Sequence, residues 1–448
     1  MSDLLSIGAS GVRAYQTALS TVSENIANTG TAGFTRRTTT LTEVSSVGGG
    51  LNARTSVSSN GVTVAGIGRS ADAYRSQAVR SAGTDLAKTE AGVTWMNRIE
   101  TSLSDNQLGD RLTSFFTAAQ KLAADPTSEP TRAVMLEAAG TAAAAFTATG
   151  AALDTATADL DSTASQAVQS LNSLGTALAK INDGIARTSL GSSTAAQLAD
   201  QRDQVLEQMS TITDINTSFD TLGRTTVRLG GATGAVFVAG GASEQLSYAR
   251  NGEGAVQFAV TGAGGASAVA PTGGALAGFA EGAQRIAAAR GSLNAIATDF
   301  TTKVNAVQAQ GRDLDGNPGA ALFATGDTPT DISVALTEPR GIAAASATGG
   351  TRDASNLTAL QAVRTSGAFE TRTTTLIAGN AAALEQRKVV AEAQSAIREG
   401  AVSALASASG VDLDSEAVDL LRFQQAYQAS SRVIQTARDT LQTILDIR

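Results

Sequence analysis

The sequence predicts an elongated, multidomain protein that is mainly α with a small β insertion. Three observations support this class: both terminal segments carry apolar residues at alternating spacings of three and four, most of the interior has helical periodicity, and only residues 216–280 alternate short apolar runs with glycine-rich turns. The chain has 448 residues, more than one compact core usually holds. Apolar residues make up 42% of it but aromatic residues only 4%, which favours long helices packed through alanine.

The first predicted helix covers residues 5–28. Its apolar positions repeat every three and four residues, which is the heptad pattern of a helix that packs along another helix. Gly8 occupies one of these positions and weakens the apolar stripe. The predicted seam residues of this helix are Leu5, Val12, Tyr15, Leu19, Val22 and Ile26.

The carboxyl-terminal segment repeats this pattern. Gly410 interrupts the preceding helix, Asp412 or Asp414 can cap the new one, and Glu416 suits its first turn because acidic groups are favoured there. Ser430 is the one polar member of its stripe. A lone helix of this length is only marginally stable, so the two terminal helices are predicted to pair as a coiled coil. The predicted seam residues of the second helix are Leu420, Phe423, Tyr427, Ile434, Ala437, Leu441 and Ile444.

The interior between the two ends reads mostly as helix. Residues 85–215 are helical by pattern, with a turn at Asp125–Pro126, a new helix from Glu129–Pro130, and one uninterrupted helix over residues 138–190. Helix returns over residues 273–311 and again from Phe369, whereas residues 325–365 look irregular.

Three domains follow from this order of elements. Residues 1–40 with 405–448 form an inner terminal-helix domain, residues 41–215 with 281–404 a discontinuous helical rod domain, and residues 216–280 a β-rich outer domain. The β domain is flanked on both sides by rod segments and then by the terminal helices. Both ends of the chain are therefore expected at one pole and the β domain at the other.

Composition excludes several function classes. The chain has no cysteine and no histidine, which removes disulfides, thiolate nucleophiles, the usual zinc ligands and histidine acid–base relays. Its net charge is −8 and no basic stripe could neutralise a row of phosphates, so nucleic-acid binding is not expected. No apolar run is long enough for a bilayer, and the amino terminus lacks the features of a secretory signal, so neither a membrane span nor a cleaved signal is expected.

Three motifs allow a chemical interpretation beside a structural one. Asp200 and Asp203 could be catalytic carboxylates, but carboxylates at this spacing beside an arginine fit an ion-paired helix face better. The Gly-Gly pairs of residues 216–280 lack the lysine and helix of a phosphate loop. Asp313, Asp315 and Asn317 begin like a calcium loop that lacks its glycine and glutamate, so turn chemistry explains them. We therefore expect no catalytic residue, cofactor or metal.

The sequence LSTVSENIANTGTAGFTRR, residues 19–37, resembles the amino-terminal signature of bacterial flagellar axial proteins, the family of rod, hook and hook-associated proteins. The chain departs from that signature mainly at Ala32, where the family commonly has proline, which leaves the turn looser. LRFQQAYQA at residues 421–429 is similar to the hook-associated members, as are residues 200–206 and 313–323. The matching residues of the first stretch are Asn25, Ile26, Ala27, Asn28, Gly33, Phe34 and Arg36.

The resemblance implies a structural, non-enzymatic role. In that family the paired terminal helices line an inner tube, the helical domain forms the next shell and the β domain faces outward, here in a ring that joins hook and filament. Residues 29–40 would then be a hinge between the inner and middle domains. The hinge residues implied in this way are Asn28, Gly30, Gly33, Phe34 and Arg36.

The resemblance also implies partners and a location. The partners are further copies of the chain, the hook protein, a second hook–filament junction protein, and an export chaperone at the carboxyl-terminal helix. Export would run through the flagellar type III apparatus to the extracellular flagellum. Two alternatives remain at this point: another axial protein (hook, rod or second junction protein), or a surface-exposed hydrolase that uses carboxylate pairs.

Overall fold

The computed structural model describes residues 2–45, 59–251, 254–262 and 264–446. Of the residues in these ranges 66% are helical, which confirms the mainly α class. Within the described ranges the helices are α1 Ser2–Ala27, α2 Ala73–Ser104, α3 Leu108–Ala124, α4 Glu129–Arg187, α5 Ser193–Ile212, α6 Gly274–Gln310, α7 Ser355–Gly367, α8 Phe369–Ser409 and α9 Leu413–Asp446, with one 3₁₀ helix at Pro339–Gly341.

The strands form small antiparallel sheets. β1 pairs with β2, the order β3-β4-β5-β6 makes a four-stranded sheet, β7-β8-β9 makes a three-stranded sheet, and β10-β13 and β11-β12 are short pairs. The strands are β1 Arg37–Ser45, β2 Ser59–Arg69, β3 Ile215–Phe219, β4 Thr225–Leu229, β5 Ala235–Ala239, β6 Ala242–Ser243, β7 Gln245–Arg250, β8 Val256–Gly262, β9 Gly265–Val269, β10 Gly311–Arg312, β11 Phe323–Thr325, β12 Ile332–Val334 and β13 Ala345–Ser346.

The helical rod packs around a cluster of phenylalanine rings. Phe300 of α6 lies at its centre and is fully buried. Its ring centroid is 5.1 to 6.2 Å from five other rings, several of them in edge-to-face geometry, which adds to the area that they bury. These rings come from α3, α4, β11 and α8, so one cluster ties distant segments together. The five partners are Phe115, Phe116, Phe146, Phe323 and Phe369.

The predicted helix boundaries of the rod are largely confirmed. α3 ends at Ala124, just before Asp125. Ser128 caps α4 by accepting a hydrogen bond from the Thr131 amide, and Pro130 lies in the first turn of α4. α4 then continues for 59 residues, as the uninterrupted pattern indicated. The prediction was wrong within residues 325–365, because α7 begins at Ser355.

A β-hairpin stands where the sequence analysis placed the start of the helical rod domain. β1 and β2 pair antiparallel from Arg37–Arg69 to Ser45–Ser59 and pack on α1. The Ser10 hydroxyl accepts a hydrogen bond from the Val62 amide at 3.2 Å. The β1 sequence RTTTLTEVS is rich in β-branched residues, which fit a pleated, half-buried surface, and that signal was overlooked.

The β part of residues 215–269 lies along the carboxyl-terminal half of α4. The Asn172 amide group donates to the Leu246 carbonyl and accepts from its N–H, and Asn182 does the same with Thr225. Burial alone would raise the pKa of Asp161, but hydrogen bonds from Arg250 and Tyr248 outweigh it and hold that pKa below its usual value.

The predicted position of this β part at the far pole was wrong. Arg202 of α5 donates to the Gly223 carbonyl at 2.8 Å and stacks over the Phe219 ring at 4.6 Å. Asp200, two residues earlier on α5, binds Arg37 next to α1. The β part and the terminal helices therefore meet the same short helix, and the β part lies beside them.

Phe300→Ala should cost about 3–5 kcal/mol of unfolding free energy, because it opens a cavity that five rings cannot refill. The protein has a single tryptophan, Trp95, which is buried in α2 against Phe279. Its fluorescence during urea unfolding therefore reports on the rod. The control is Tyr74→Ala, since Tyr74 is 83% exposed, and a Phe300→Ala midpoint equal to that control would contradict the assignment of the core.

Asp161→Asn should loosen the β part in a pH-dependent way. The folded pKa of Asp161 is lowered, so its contribution is present above its unfolded pKa of about 4 and is lost as pH falls below that value. Hydrogen exchange of β7 and β8, compared at matched pH, should differ most between variant and wild type near neutrality and converge below about pH 4. A difference that is constant with pH would contradict this account.

Candidate assembly interface of the terminal helices

The two terminal helices pair within one chain, which confirms the predicted pairing. Contacts run in opposite directions along the two sequences: Gly8 and Gly11 of α1 lie against Ile434 and Ser430 of α9, and farther along α1 Tyr15 meets Phe423 with ring centroids 6.4 Å apart. The pair is therefore antiparallel.

Glycine marks the closest approach of the pair. A Cβ atom added at Gly8 would lie 2.6 Å from Cγ1 of Ile434, and one at Gly11 would lie 2.5 Å from Oγ of Ser430. The prediction that Gly8 weakens the stripe was wrong, because the close approach of Ile434 leaves no room for a side chain there. Together with the buried Ala14 and Ala18, the glycines let α9 lie close to the α1 backbone.

The predicted seam residues lie at different depths in the pair. Val22, Phe423 and Ala437 are buried, and Leu441 and Ile444 are 41% and 52% exposed. The role of all these residues in assembly stays a prediction. The half-buried seam residues are Leu5, Val12, Tyr15, Leu19, Ile26, Leu420, Tyr427 and Ile434.

The apolar core of the pair is small. Among the described residues it consists of Ala18, Val22 and Phe423, separate from the large core of the rod. Partly buried neighbours, including Leu41 of the hairpin, surround it. Burial of so few side chains provides much less stabilisation than the rod core does.

The link between α1 and β1 turns tightly and is held at several points. Gly30 and Gly33 have φ values of +80° and +76°, a backbone region that favours glycine. The Asn28 side chain donates to the Glu24 carbonyl and so closes the end of α1. The Phe34 ring lies under the Arg37 guanidinium at 4.9 Å, and the Arg36 amide donates to the Ser409 carbonyl at the end of α8. Three of the five predicted hinge residues, Asn28, Phe34 and Arg36, are thus held by contacts of their side chains or backbone. A hinge motion stays a prediction.

A buried polar cluster joins the link to the start of α9. Asn25 and Glu416 are both 0% exposed. Asn25 Nδ2 donates to Glu416 Oε2 at 3.0 Å and to the Arg37 carbonyl at 2.8 Å, and Asn25 Oδ1 accepts from the Arg37 amide at 3.0 Å. Arg36 Nε donates to Glu416 Oε1 at 2.6 Å. We call Asn25, Arg36 and Glu416 the polar lock.

A second cluster joins the same link to the rod. Arg37 binds Glu24 of α1 at 2.9 Å and Asp200 of α5 at 3.3 Å. Arg69 at the end of β2 binds both Asp200 and Asp203 at 2.8 Å. The ion-paired interpretation of the two aspartates was the better one, and Asp200 is only 6% exposed.

Sequence reasoning missed the polar lock although its residues were in view. Asn25 and Arg36 were noted only as part of a resemblance, and Glu416 only as a favourable charge in a helix start, while Asp412 does cap α9 by accepting from the Asp414 amide. The available signal was that Asn25 interrupts an apolar helix face and Glu416 begins another. Such positions suggest that the two residues meet.

The described part of the chain contains neither a group of side chains suited to a metal ion nor a helix suited to a membrane. In those residues no group of three or more histidine, cysteine, aspartate and glutamate side chains is arranged to hold a metal ion. None of the described helices combines the length and the apolar character that crossing a membrane requires.

Comparison with known families identifies the chain. The sequence profile described as the flagellar hook-associated protein FlgK helical domain matches residues 96–323, just over half of the chain. The chain belongs to this family. A second profile, the flagellar basal body rod FlgEFG protein C-terminal, matches residues 402–447 and so includes α9 of this FlgK family member. The predicted kinship with flagellar hook-associated proteins is confirmed.

Individual relatives agree with this family. Flagellar hook-associated protein 1 of Salmonella typhimurium is 30% identical over 342 residues, which cover 73% of this chain and 60% of that protein. The protein of the same name from Escherichia coli is 28% identical over 254 residues, covering 55% of this chain and 45% of the relative. The structure of the flagellar hook junction protein FlgK from Burkholderia pseudomallei aligns with a TM-score of 0.51 at 26% identity, over 56% of this chain and 47% of that one. The chain thus spans 60% or less of the curated relatives that it matches.

Hydrogen exchange should separate the terminal helices from the rod. Because the pair has a small apolar core, amides of residues 12–26 in the isolated chain should exchange much faster than those of α4. Mass-spectrometric exchange on the purified chain measures this directly. Protection of residues 12–26 equal to that of α4 would show that the pair is already stable without a further partner.

Proposed function

We propose that this chain is a structural component of the bacterial flagellum, which joins hook and filament in a ring by self-assembly of its terminal helices. One observation carries the proposal: α1 and α9 pair with each other and still leave large apolar side chains of α9 exposed. Membership in a flagellar structural family supports it, and so do relatives that are named for the hook and its junction.

The exposed apolar side chains concentrate on two neighbouring helices. Of 17 large apolar side chains that are exposed in the described ranges, four lie on α8 and seven on α9. Patches of this kind mark interaction surfaces, since each leucine that a partner covers contributes about 1.5–3 kcal/mol. Those on α8 are Val389, Val390, Ile397 and Val402, and those on α9 are Leu413, Val418, Leu421, Val433, Leu441, Ile444 and Leu445.

Further copies of the chain are the first partners under this proposal. Head-to-tail contacts between identical subunits close into rings or continue as helices without any catalytic group. The terminal-helix domain would lie innermost and the helical rod outside it. The hook protein, a second junction protein and an export chaperone at α9 complete the proposed set.

The same proposal sets location and chemistry. Export through the flagellar apparatus would deliver the chain to the extracellular flagellum. An enzymatic role is not proposed, because the paired carboxylates Asp200 and Asp203 are bound by Arg37, Arg69 and Arg202 and are not held for proton transfer.

The second candidate is another axial protein, favoured by the rod-type profile on residues 402–447. A deletion strain with complete hooks and filament lost to the medium would support the junction role.

Leu441→Asp should abolish incorporation into hook–basal bodies and motility. The change places a charge on a seam residue that is 41% exposed in the single chain and available to a second copy. Complementation of the deletion strain, with motility on soft agar and blotting of purified hook–basal bodies, measures the effect. Circular dichroism and Trp95 fluorescence should be unchanged, since the residue does not touch the rod.

Gln442→Asp is the matched control, because it adds the same charge one residue away at an exposed polar position. It should incorporate and swim normally. Normal motility of Leu441→Asp, or equal loss in both variants, would remove the seam from the mechanism.

A further inference from the structure

The polar lock lies where apolar contacts cannot decide how far α9 slides along α1. Small residues line the α1 side of the contact at Gly8, Gly11 and Ala18, and only a few side chains are buried between the helices. Heptad seams are self-similar, because a shift of seven residues again brings seam against seam.

One such shift would again place apolar side chains of α9 against α1. Moving α9 so that Ala437 faces Gly11 would carry Leu441 and Ile444, which are exposed now, toward the first two turns of α1. Ala437 is small enough for the close approach at Gly11. Seam positions therefore face seam positions in both registers.

The polar groups do distinguish the two registers. In the observed register the buried Asn25 and Glu416 satisfy each other, and Arg36 neutralises the carboxylate at 2.6 Å. In the shifted register Phe423 would face Asn25, and Glu416 would leave both partners. A buried amide and a carboxylate without partners are costly, so the shift is penalised by desolvation.

We propose that Asn25, Arg36 and Glu416 set the register of the α1–α9 pair, and that they act on specificity more than on stability. Buried ion pairs often contribute little net stability compared with apolar residues of the same size, while a polar residue in a helical seam can fix alignment. The register decides which apolar side chains α9 presents outward. The inference concerns the pair within one chain, and only its consequence for ring assembly rests on the proposed function.

The chain contains no cysteine, so introduced pairs report on the register without background. Gly11→Cys with Ser430→Cys forms a disulfide in the observed register, where the Cβ position of residue 11 lies 3.1 Å from Cβ of Ser430. Gly11→Cys with Ala437→Cys forms one only after the shift of seven residues. Both pairs share the Gly11 change, so any disturbance that it causes affects both readouts.

The test compares the two disulfides, by mass spectrometry after mild oxidation, in three isolated proteins. With the lock intact, the first disulfide should exceed the second by about a factor of ten or more. In Asn25→Leu/Glu416→Leu the ratio should fall to within a few-fold, with helicity unchanged. The control Ser23→Leu/Gln424→Leu adds the same leucines at exposed positions of the same helices and should keep the original ratio.

Two results would overturn the inference. An unchanged ratio in Asn25→Leu/Glu416→Leu would mean that other contacts set the register, and loss of both disulfides would mean that the lock is needed for pairing itself. Glu416→Gln, which keeps the size of the side chain and removes its charge, gives a milder second test in which the ratio should also fall. None of these readouts involves assembly, so the inference can fail while Leu441→Asp still blocks incorporation, and the reverse.

Discussion

Two adjacent arginines hold the terminal helices, the hairpin and the rod together. Successive side chains of an extended chain point to opposite sides, so Arg36 reaches Glu416 on α9 while Arg37 reaches Glu24 on α1 and Asp200 on α5. Segments that are far apart in the sequence therefore meet at one dipeptide. If Arg36 were replaced, the buried Glu416 would lose the arginine that neutralises it, whereas Asp200 would keep Arg69 after a loss of Arg37.

The rod and the terminal helix pair are stabilised by different kinds of contact. The rod depends on a large apolar core with six phenylalanine rings, whereas the terminal pair depends on an apolar cluster of three buried side chains and on charged groups. Assembly state should thus affect the pair much more than the rod, because the pair has the smaller apolar core.

Much of the fold could be predicted because periodicity and capping signals are local. The heptad spacing of both ends, the proline-marked start of α4 and the glycine-rich strands all depend on neighbouring residues, and these elements were found. The hairpin was missed because the β-branched run from Arg37 was taken as part of a hinge and a rod.

The candidate site was harder, since its decisive contacts join residues 391 positions apart, as between Asn25 and Glu416. No local pattern tells that Glu416 is buried or that Asp200 faces two arginines; that follows only from how whole helices pack. The close approach at Gly8 likewise appeared as a gap in the stripe until the partner helix was in place.

The glycines also give the helix pair an uneven width. At Gly8 and Gly11 the α1 backbone lies directly against Ile434 and Ser430 of α9. Farther along, the rings of Tyr15 and Phe423 lie between the two helices. Different kinds of side chain therefore set the spacing of the helices at the two places. A larger residue at either glycine would displace side chains of α9, whereas a smaller residue in place of either ring would leave a gap between the helices.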